Sequence, residues 1–201
     1  ETFNTFINFE DAASDPEHII FDPSIKKSDT LDKSEGNIID YTASDVALTH
    51  NTGLYEDGDF EADGEYDQPK AYTVKGSGVD HELESPVAVY GSHHGDTYNT
   101  HWFTHTLEFH TGRGNDTVNL PFALPNNDFS NTFTIHYSGG HDVYDTNGGL
   151  MLKEIVLADH ITLDDVTVTS INRIDSEAHF DVRLAIEGHG SIKLLVAYGY
   201  E

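Results

Sequence analysis

The chain has 201 residues, enough for one domain with its own core. It carries 36 Asp and Glu against 10 Lys and Arg, a formal net charge of −26, and no Cys. This charge excludes nucleic acid and anionic membranes as partners, because both repel an acidic surface. Self-repulsion on this scale destabilises a compact state unless cations neutralise it, and bound divalent cations would do so. An acidic surface adapted to high salt is the alternative explanation.

Because the chain has no Cys, disulfides cannot stabilise the fold. Bound metal ions are another means of stabilising it. The sequence has no signal peptide and no transmembrane run. It begins at Glu1 without Met, so we expect it to be part of a larger protein. No Pro/Ser-rich linker divides residues 1–201, which predicts a single domain.

Short apolar runs in the first quarter of the chain predict strands at residues 2–9, 38–41 and 46–48, and residues 18–21 form a further short apolar run before Pro23. Residues 24–37 are polar and charged and predict a surface loop or a short helix. A further strand is expected at residues 70–75, before the turn at residues 76–78.

The densest acidic run lies at residues 57–67. Alternate acids followed by Gly64 resemble the first half of an EF-hand loop, in which such acids converge on calcium. Lys70 stands where that loop needs its last Glu, so a solvated acidic loop is an equal alternative. The candidate calcium ligands here are Asp57, Asp59, Glu61 and Asp63.

A repeated block spans residues 86–146. Aligning residues 107–110 with 133–136 places Asp116 on Asp142 and Gly114 on Gly140, an offset of 26. Aligning residues 87–90 with 107–110 places Asp96 on Asp116, an offset of 20. Each unit is an alternating strand, a Gly turn, an Asp and a second short strand. Unequal offsets predict irregular coils or strand pairs instead of a regular calcium β-roll.

Residues 111–118 (TGRGNDTV) fit the calcium pattern G-G-x-G-x-D-x-U-x, except that Thr111 replaces the first Gly. In that pattern, glycines allow a tight turn whose carbonyls face calcium beside one carboxylate. Strand–turn–strand units with an Asp also occur in β proteins that bind no metal. The candidate calcium ligands of the block are Asp96, Gly112, Gly114, Asp116, Gly140 and Asp142.

The sequence contains thirteen histidines, and histidine is a common zinc ligand. His101 and His105 would share one face of a strand, but no Cys and no pattern of supporting residues accompanies them, so polar residues between strands are the favoured interpretation. His81-Glu82 begins a zincin-like motif, which Ser85 then breaks.

The last quarter of the chain predicts a β-hairpin. Residues 180–186 and 192–196 alternate around a turn at residues 187–190, and residues 166–168 also alternate. Residues 150–157 are apolar without clear alternation, so helix and strand both remain open. The predicted fold is all-β: a calcium-bound β-sandwich or β-roll-like domain with long acidic loops and a C-terminal antiparallel hairpin.

Residues 112–120 resemble the repeat of RTX (haemolysin-type) calcium-binding proteins. The segments LDDVTVTS (163–170) and FDVRLAIEGHGSIKL (180–194) are similar to the region that follows such repeats. The whole chain resembles the peptide-binding domain of giant RTX adhesins of Gram-negative bacteria. That resemblance implies an extracellular, monomeric module of a cell-surface adhesin that binds several calcium ions. It also implies capture of an extended peptide, at a protein C-terminus, on host or neighbouring cells.

A calcium with an open coordination position would accept the peptide's terminal carboxylate, and Arg113 would help to hold it. The candidate walls of the groove are Tyr98, Trp102 and Tyr144, for which core packing is the alternative. Three other functions stay open: a lectin-like module, a polysaccharide-processing domain and a structural spacer. No G-x-S-x-G motif is present, and we predict that the chain is not an enzyme.

Overall fold

The computed structural model describes residues 18–20, 27–31, 37–52, 72–83, 86–100, 107–120, 132–147, 152–174 and 179–197. These residues form strands joined by turns, together with one 3-10 turn at Leu163–Asp165. The strands are β1 (His18–Ile20), β2 (Lys27–Leu31), β3 (Ile38–Asp40), β4 (Leu48–Thr52), β5 (Tyr72–Gly76), β6 (Val79–Leu83), β7 (Ala88–Tyr90), β8 (Thr97–Asn99), β9 (Leu107–Gly112), β10 (Thr117–Asn119), β11 (Phe133–Tyr137), β12 (Gly140–Asp145), β13 (Leu152–Leu157), β14 (Val166–Arg173), β15 (His179–Ile186) and β16 (Gly190–Ala197).

The strands build two sheets. A six-stranded sheet has the order β1-β3-β7-β9-β11-β13, and all of its pairs are parallel. A ten-stranded sheet has the order β14-β15-β16-β12-β10-β8-β4-β5-β6-β2. From β7 to β13 the chain alternates between the sheets, so each coil gives one strand to each. The all-β prediction is confirmed, and the architecture is a stack of parallel β-coils.

The pairing register follows the predicted repeat. Phe109 lies opposite both Val89 and Ile135 in the six-stranded sheet. Val118 lies opposite both Tyr98 and Tyr144 in the ten-stranded sheet. Both sets of partners are separated by the offsets read from the sequence, 20 and 26 residues. The alignment therefore predicted the stacking of three coils.

The core lies between the two sheets. Inward side chains from the six-stranded sheet, such as Phe109, pack in one cluster with inward side chains of the ten-stranded sheet, such as Tyr98 and Tyr144. The rings of Phe109 and Tyr98 have centroids 4.9 Å apart. Because strand side chains alternate, the residues between them point to the outer faces. Glu108 and His110 are therefore only partly buried on the outer face of the six-stranded sheet.

Antiparallel hairpins extend the ten-stranded sheet at both ends. β5 pairs antiparallel with β6, and β14 and β16 both pair antiparallel with β15. The predicted C-terminal hairpin is thus confirmed as β15–β16. Its turn uses Gly188 at φ +74°, a conformation that favours glycine.

Two local predictions change with the structure. Residues 24–37 were expected to be a loop or a short helix, but they contain strand β2, which pairs with β6. The apolar segment at residues 150–157 contains a strand, β13, beside β11. The predicted strand at residues 2–9 and the acidic run at residues 57–67 lie outside the described residues. Among the described residues, no helix is long and apolar enough to cross a membrane.

Candidate functional site

Glycines form the corner that leads from the six-stranded sheet to the ten-stranded sheet. Gly112 ends β9 at φ +88°, and Gly140 begins β12 at φ +105°. A Cβ on Gly140 would collide with the carbonyl oxygen of Gly114 in the preceding coil, and a Cβ on Gly114 would collide with that of His94. Successive coils therefore approach each other more closely here than a side chain allows.

This approach stacks Asp96, Asp116 and Asp142, hereafter the aspartate column. Each of the three is only 1% exposed. The backbone N–H of Asp96 donates to Oδ1 of Asp116 at 2.7 Å, and that of Asp116 donates to Oδ1 of Asp142 at 3.0 Å. Each hydrogen bond joins one coil to the next, so the carboxyl groups tie the corners of the stack together.

The carboxyl groups at both ends of the column, those of Asp96 and Asp142, also accept hydrogen bonds from other protein groups. Asp96 accepts hydrogen bonds from the N–H of Leu48 at 2.7 Å and from the N–H and Oγ of Ser92 at 2.6 and 2.8 Å. At the other end, Oδ2 of Asp142 accepts from the hydroxyl of Tyr144 at 2.7 Å and from that of Thr111 at 3.3 Å. Buried carboxyl groups with several donors are a stable structural arrangement.

Asp116, in the middle of the column, has one carboxyl oxygen without a donor in the described part of the chain. Oδ2 of Asp116 is buried and has no hydrogen-bond partner among the described residues. Val118 occupies the position that Tyr144 occupies in the next coil, and valine has no hydroxyl to donate. An unpaired buried oxygen is costly, so Asp116 is the place in the column where a proton or a cation is needed most.

Burial raises the pKa of all three carboxyl groups. It raises the pKa of Asp116 to about 8, helped by the negative charges of Asp142 and Asp96 and opposed by the N–H of Asp96. It raises the pKa of Asp142 to about 6, against hydrogen bonds from Asp116, Tyr144 and Thr111. For Asp96 the pKa is also raised by burial, although its donors oppose the shift. Without a cation, Asp116 therefore holds a proton at neutral pH.

The fit of calcium to this column is partial. Calcium takes about six to eight oxygen ligands, and the column offers it one free carboxylate oxygen, Oδ2 of Asp116. The carbonyl oxygens of Gly112 and Gly140 already accept hydrogen bonds from the hydroxyls of Ser138 and Tyr137. An ion here would contact Asp116 and would have to replace neighbouring donors. Calcium coordination by the column stays a prediction.

The predicted groove walls are corrected by the structure. Tyr98 and Tyr144 have no exposed surface, because each stands two residues after an inward Asp and therefore points into the core as well. Tyr98 stacks on His50 with ring centroids 4.5 Å apart. Arg113 is exposed at the corner. Trp102 and the acidic candidates Asp57, Asp59, Glu61 and Asp63 lie outside the described residues.

A second cluster of chemically active side chains lies on the outer face of the six-stranded sheet. Glu108, His110 and His136 bring one carboxylate oxygen and two ring nitrogens within 4.8 Å of one another. This cluster was not predicted from the sequence, and the pair considered for zinc, His101 and His105, lies outside the described residues. The signal was present in the 26-residue alignment, which also places His110 on His136.

Comparisons of the chain with family models, with curated proteins and with solved structures found no match. The class of protein is therefore defined by its own architecture, an acidic two-sheet stack of β-coils with a buried aspartate column.

Proposed function

We propose that this chain is a calcium-dependent cell-adhesion module of a secreted bacterial adhesin of the RTX type, and that it binds an extended peptide along β14. The observation that carries the proposal is the position of β14 at the edge of the ten-stranded sheet. Among the described strands, β14 pairs with β15 alone. An edge strand offers backbone N–H and C=O groups to an added strand.

The side chains of β14 suit a peptide partner. Val168 is 57% exposed and Ile171 is 64% exposed, an unusual exposure for β-branched apolar residues in a sheet. The pairing with β15 shifts register between Val168 and Ser170, so β14 offers a peptide only a short stretch of regular strand. A peptide that pairs along so short a stretch buries a small area, which predicts binding in the micromolar range.

The neighbouring strands supply positive charge. Arg183 on β15 and Lys193 on β16 lie side by side and share one carboxylate, that of Asp181, at 3.1 and 3.7 Å. Two cations against one anion leave a net positive charge beside β14, on a chain with a formal net charge of −26. This local charge attracts an anionic group such as a peptide's terminal carboxylate.

Calcium dependence has separate support. The net charge favours cation binding, and the unpaired Oδ2 of Asp116 is a buried oxygen that a cation would satisfy. The glycine corners and the Asp that recurs in each coil match the RTX pattern on which the proposed class depends.

The test is peptide binding with two matched variants. An extended peptide with a free C-terminus should bind with micromolar affinity. Ile171→Asp should weaken binding at least tenfold, because it removes an apolar contact and places a negative charge next to the peptide's carboxylate. Ile20→Asp is the control, since Ile20 is 67% exposed on β1 of the other sheet. Equal losses in both variants, or no loss in Ile171→Asp, would remove β14 as the site.

Three further measurements test the class of ligand: binding of an amidated peptide, binding of simple sugars and turnover of polysaccharides. The amidated form of the same peptide should bind more weakly, because it lacks the carboxylate that the cationic pair attracts. Equal binding of the two forms would remove the carboxylate mechanism and leave strand pairing alone. Binding of simple sugars without peptide would make the chain a lectin-like module. Turnover of polysaccharides would make it an enzyme.

A further inference from the structure

We propose that Glu108, His110 and His136 form a binding site for one divalent transition-metal ion of the zinc class. Glu108 and His110 lie two residues apart on β9 and so share its outer face, while His136 lies directly opposite His110 on β11. The three donors therefore come from two neighbouring parallel strands whose register is fixed by pairing on both sides of each strand. A site built on paired strands is held more rigidly than one built on a loop.

The distances suit a small metal ion. Oε2 of Glu108 lies 3.1 Å from Nε2 of His136 and 3.8 Å from Nε2 of His110. Ligands of a tetrahedral zinc ion with bonds of about 2.0–2.1 Å are about 3.3 Å apart. The observed separations lie on either side of that value, so the donor atoms are close enough for one ion once a ring reorients.

The donor chemistry selects the kind of metal. Two imidazoles and one carboxylate are one of the ligand sets of three-residue zinc sites, which leave one position open to water or to another ligand. Calcium prefers oxygen ligands alone, so this cluster discriminates against it. The site is therefore chemically distinct from any calcium at the aspartate column.

The cluster is accessible from solvent. The side chains are 46% exposed at Glu108, 21% at His110 and 27% at His136, so an ion can reach all three donors from outside the sheet.

Metal binding would change the geometry of the rings in a defined way. The rings of His110 and His136 stack at 3.9 Å with planes 10° apart, and Tyr90 stacks on His110 at 3.7 Å. Since the lone pair of Nε2 lies in the ring plane, parallel rings do not aim at one ion, and one ring must turn out of the stack. His136 donates its Nε2 hydrogen to Glu108 in the free protein, so the proton moves to Nδ1, or to solvent, when the metal binds.

The experiment is calorimetric titration of the 201-residue chain with zinc in buffer that contains excess calcium. We expect one ion per chain at this site, with affinity reduced at least about 100-fold in His136→Ala and at least about tenfold in Glu108→Gln. The matched control is His160→Ala, because His160 also lies against a second histidine, His189, with ring centroids 5.0 Å apart. It should leave the affinity unchanged.

Cobalt(II) provides a second measurement. Binding at three protein donors should give the intense visible absorption of four-coordinate cobalt, and this absorption should be lost in His136→Ala. Circular dichroism establishes whether each variant is folded, and Glu108→Gln, which keeps the side-chain shape, decides the matter if His136→Ala does not fold. The proposal is overturned if the wild-type chain binds no zinc, if neither cluster variant lowers affinity, or if His160→Ala lowers it as much as they do.

Discussion

Asp116 is the residue at which burial and charge conflict most strongly. Its carboxyl group accepts one hydrogen bond through Oδ1 and none through Oδ2, and Asp142 and Asp96 lie on either side of it in the column. Burial therefore raises its pKa to about 8, from an ordinary value of 3.8. The folded protein binds a proton at Asp116 that the unfolded chain releases near pH 4, and this difference links stability to pH.

The first prediction concerns that linkage in the presence of a chelator. Stability contributed by the Asp116 proton is present below the unfolded pKa and is lost as pH rises through about 8. Below pH 6.5 the effect is opposed by His50 and His110, whose pKa values burial lowers to about 3. From pH 6.5 to 8 the free energy of unfolding should therefore fall by up to about 1.4 kcal/mol per pH unit.

Denaturant unfolding at a series of pH values measures this slope. Asp116→Asn should remove most of it, because the amide has no proton to lose in this range. A wild-type slope that is zero, or that persists unchanged in Asp116→Asn, contradicts the assignment to Asp116. With calcium bound at Oδ2 the slope should diminish or reverse, since a cation favours the ionised carboxylate.

At the residue scale, the sequence predicted which carboxyl groups come together but not which way they point. The alignment placed Asp96, Asp116 and Asp142 in one series, and the structure stacks them in that order. It did not predict that they are buried and paired with backbone N–H groups. Once Asp142 points inward, Tyr144 does so too by strand alternation, so the tyrosine walls were wrong because the burial of the column was not predicted.

At the scale of elements, the glycine corner should be the part of the stack least tolerant of a side chain. Gly140→Ala must adopt φ +105° and place a Cβ against the Gly114 carbonyl. The left-handed backbone costs about 1–2 kcal/mol, and the collision adds about 1–3 kcal/mol more. Chemical denaturation should therefore show a loss of about 2–5 kcal/mol.

Gly188→Ala is the matched control for this prediction. Gly188 also has positive φ, +74°, but a Cβ there meets nothing within 4 Å. Its loss should be limited to the backbone term of about 1–2 kcal/mol. Equal losses in the two variants would show that close approach of the coils at Gly140 contributes nothing.

Element by element, predictability depended on repetition and alternation. The register of β9 with β7 and β11 was readable because each strand repeats an apolar pattern that precedes a Gly turn. β13 gave no clear pattern, because none of its residues is fully buried and it pairs with β11 alone among the described strands. The parallel pairing of β2 with β6 joins segments far apart in the chain. Local sequence patterns do not indicate which distant strand a segment pairs with, so this pairing could not be predicted.

At the scale of the whole molecule, the formal net charge of −26 opposes the compact state through self-repulsion. The described surface contains few ion pairs, and most of them involve histidine or the Arg183–Asp181–Lys193 group. Exposed pairs of this kind contribute little, about 0–1 kcal/mol each. Solution cations, bound or diffuse, must therefore supply most of the compensation.

Thermal unfolding separates bound from diffuse cations. If calcium binds the native state alone, calcium at a concentration of about 100 times its dissociation constant stabilises the fold by about 2.7 kcal/mol, and the unfolding midpoint rises with calcium concentration. Sodium chloride at the same ionic strength is the control, because it screens charge without occupying a site. Magnesium is a second control, since it needs near-octahedral geometry and gives up its water reluctantly. A midpoint that rises with calcium far more than with either control supports specific sites, and an equal rise with sodium chloride would assign the acidic surface to adaptation to salt.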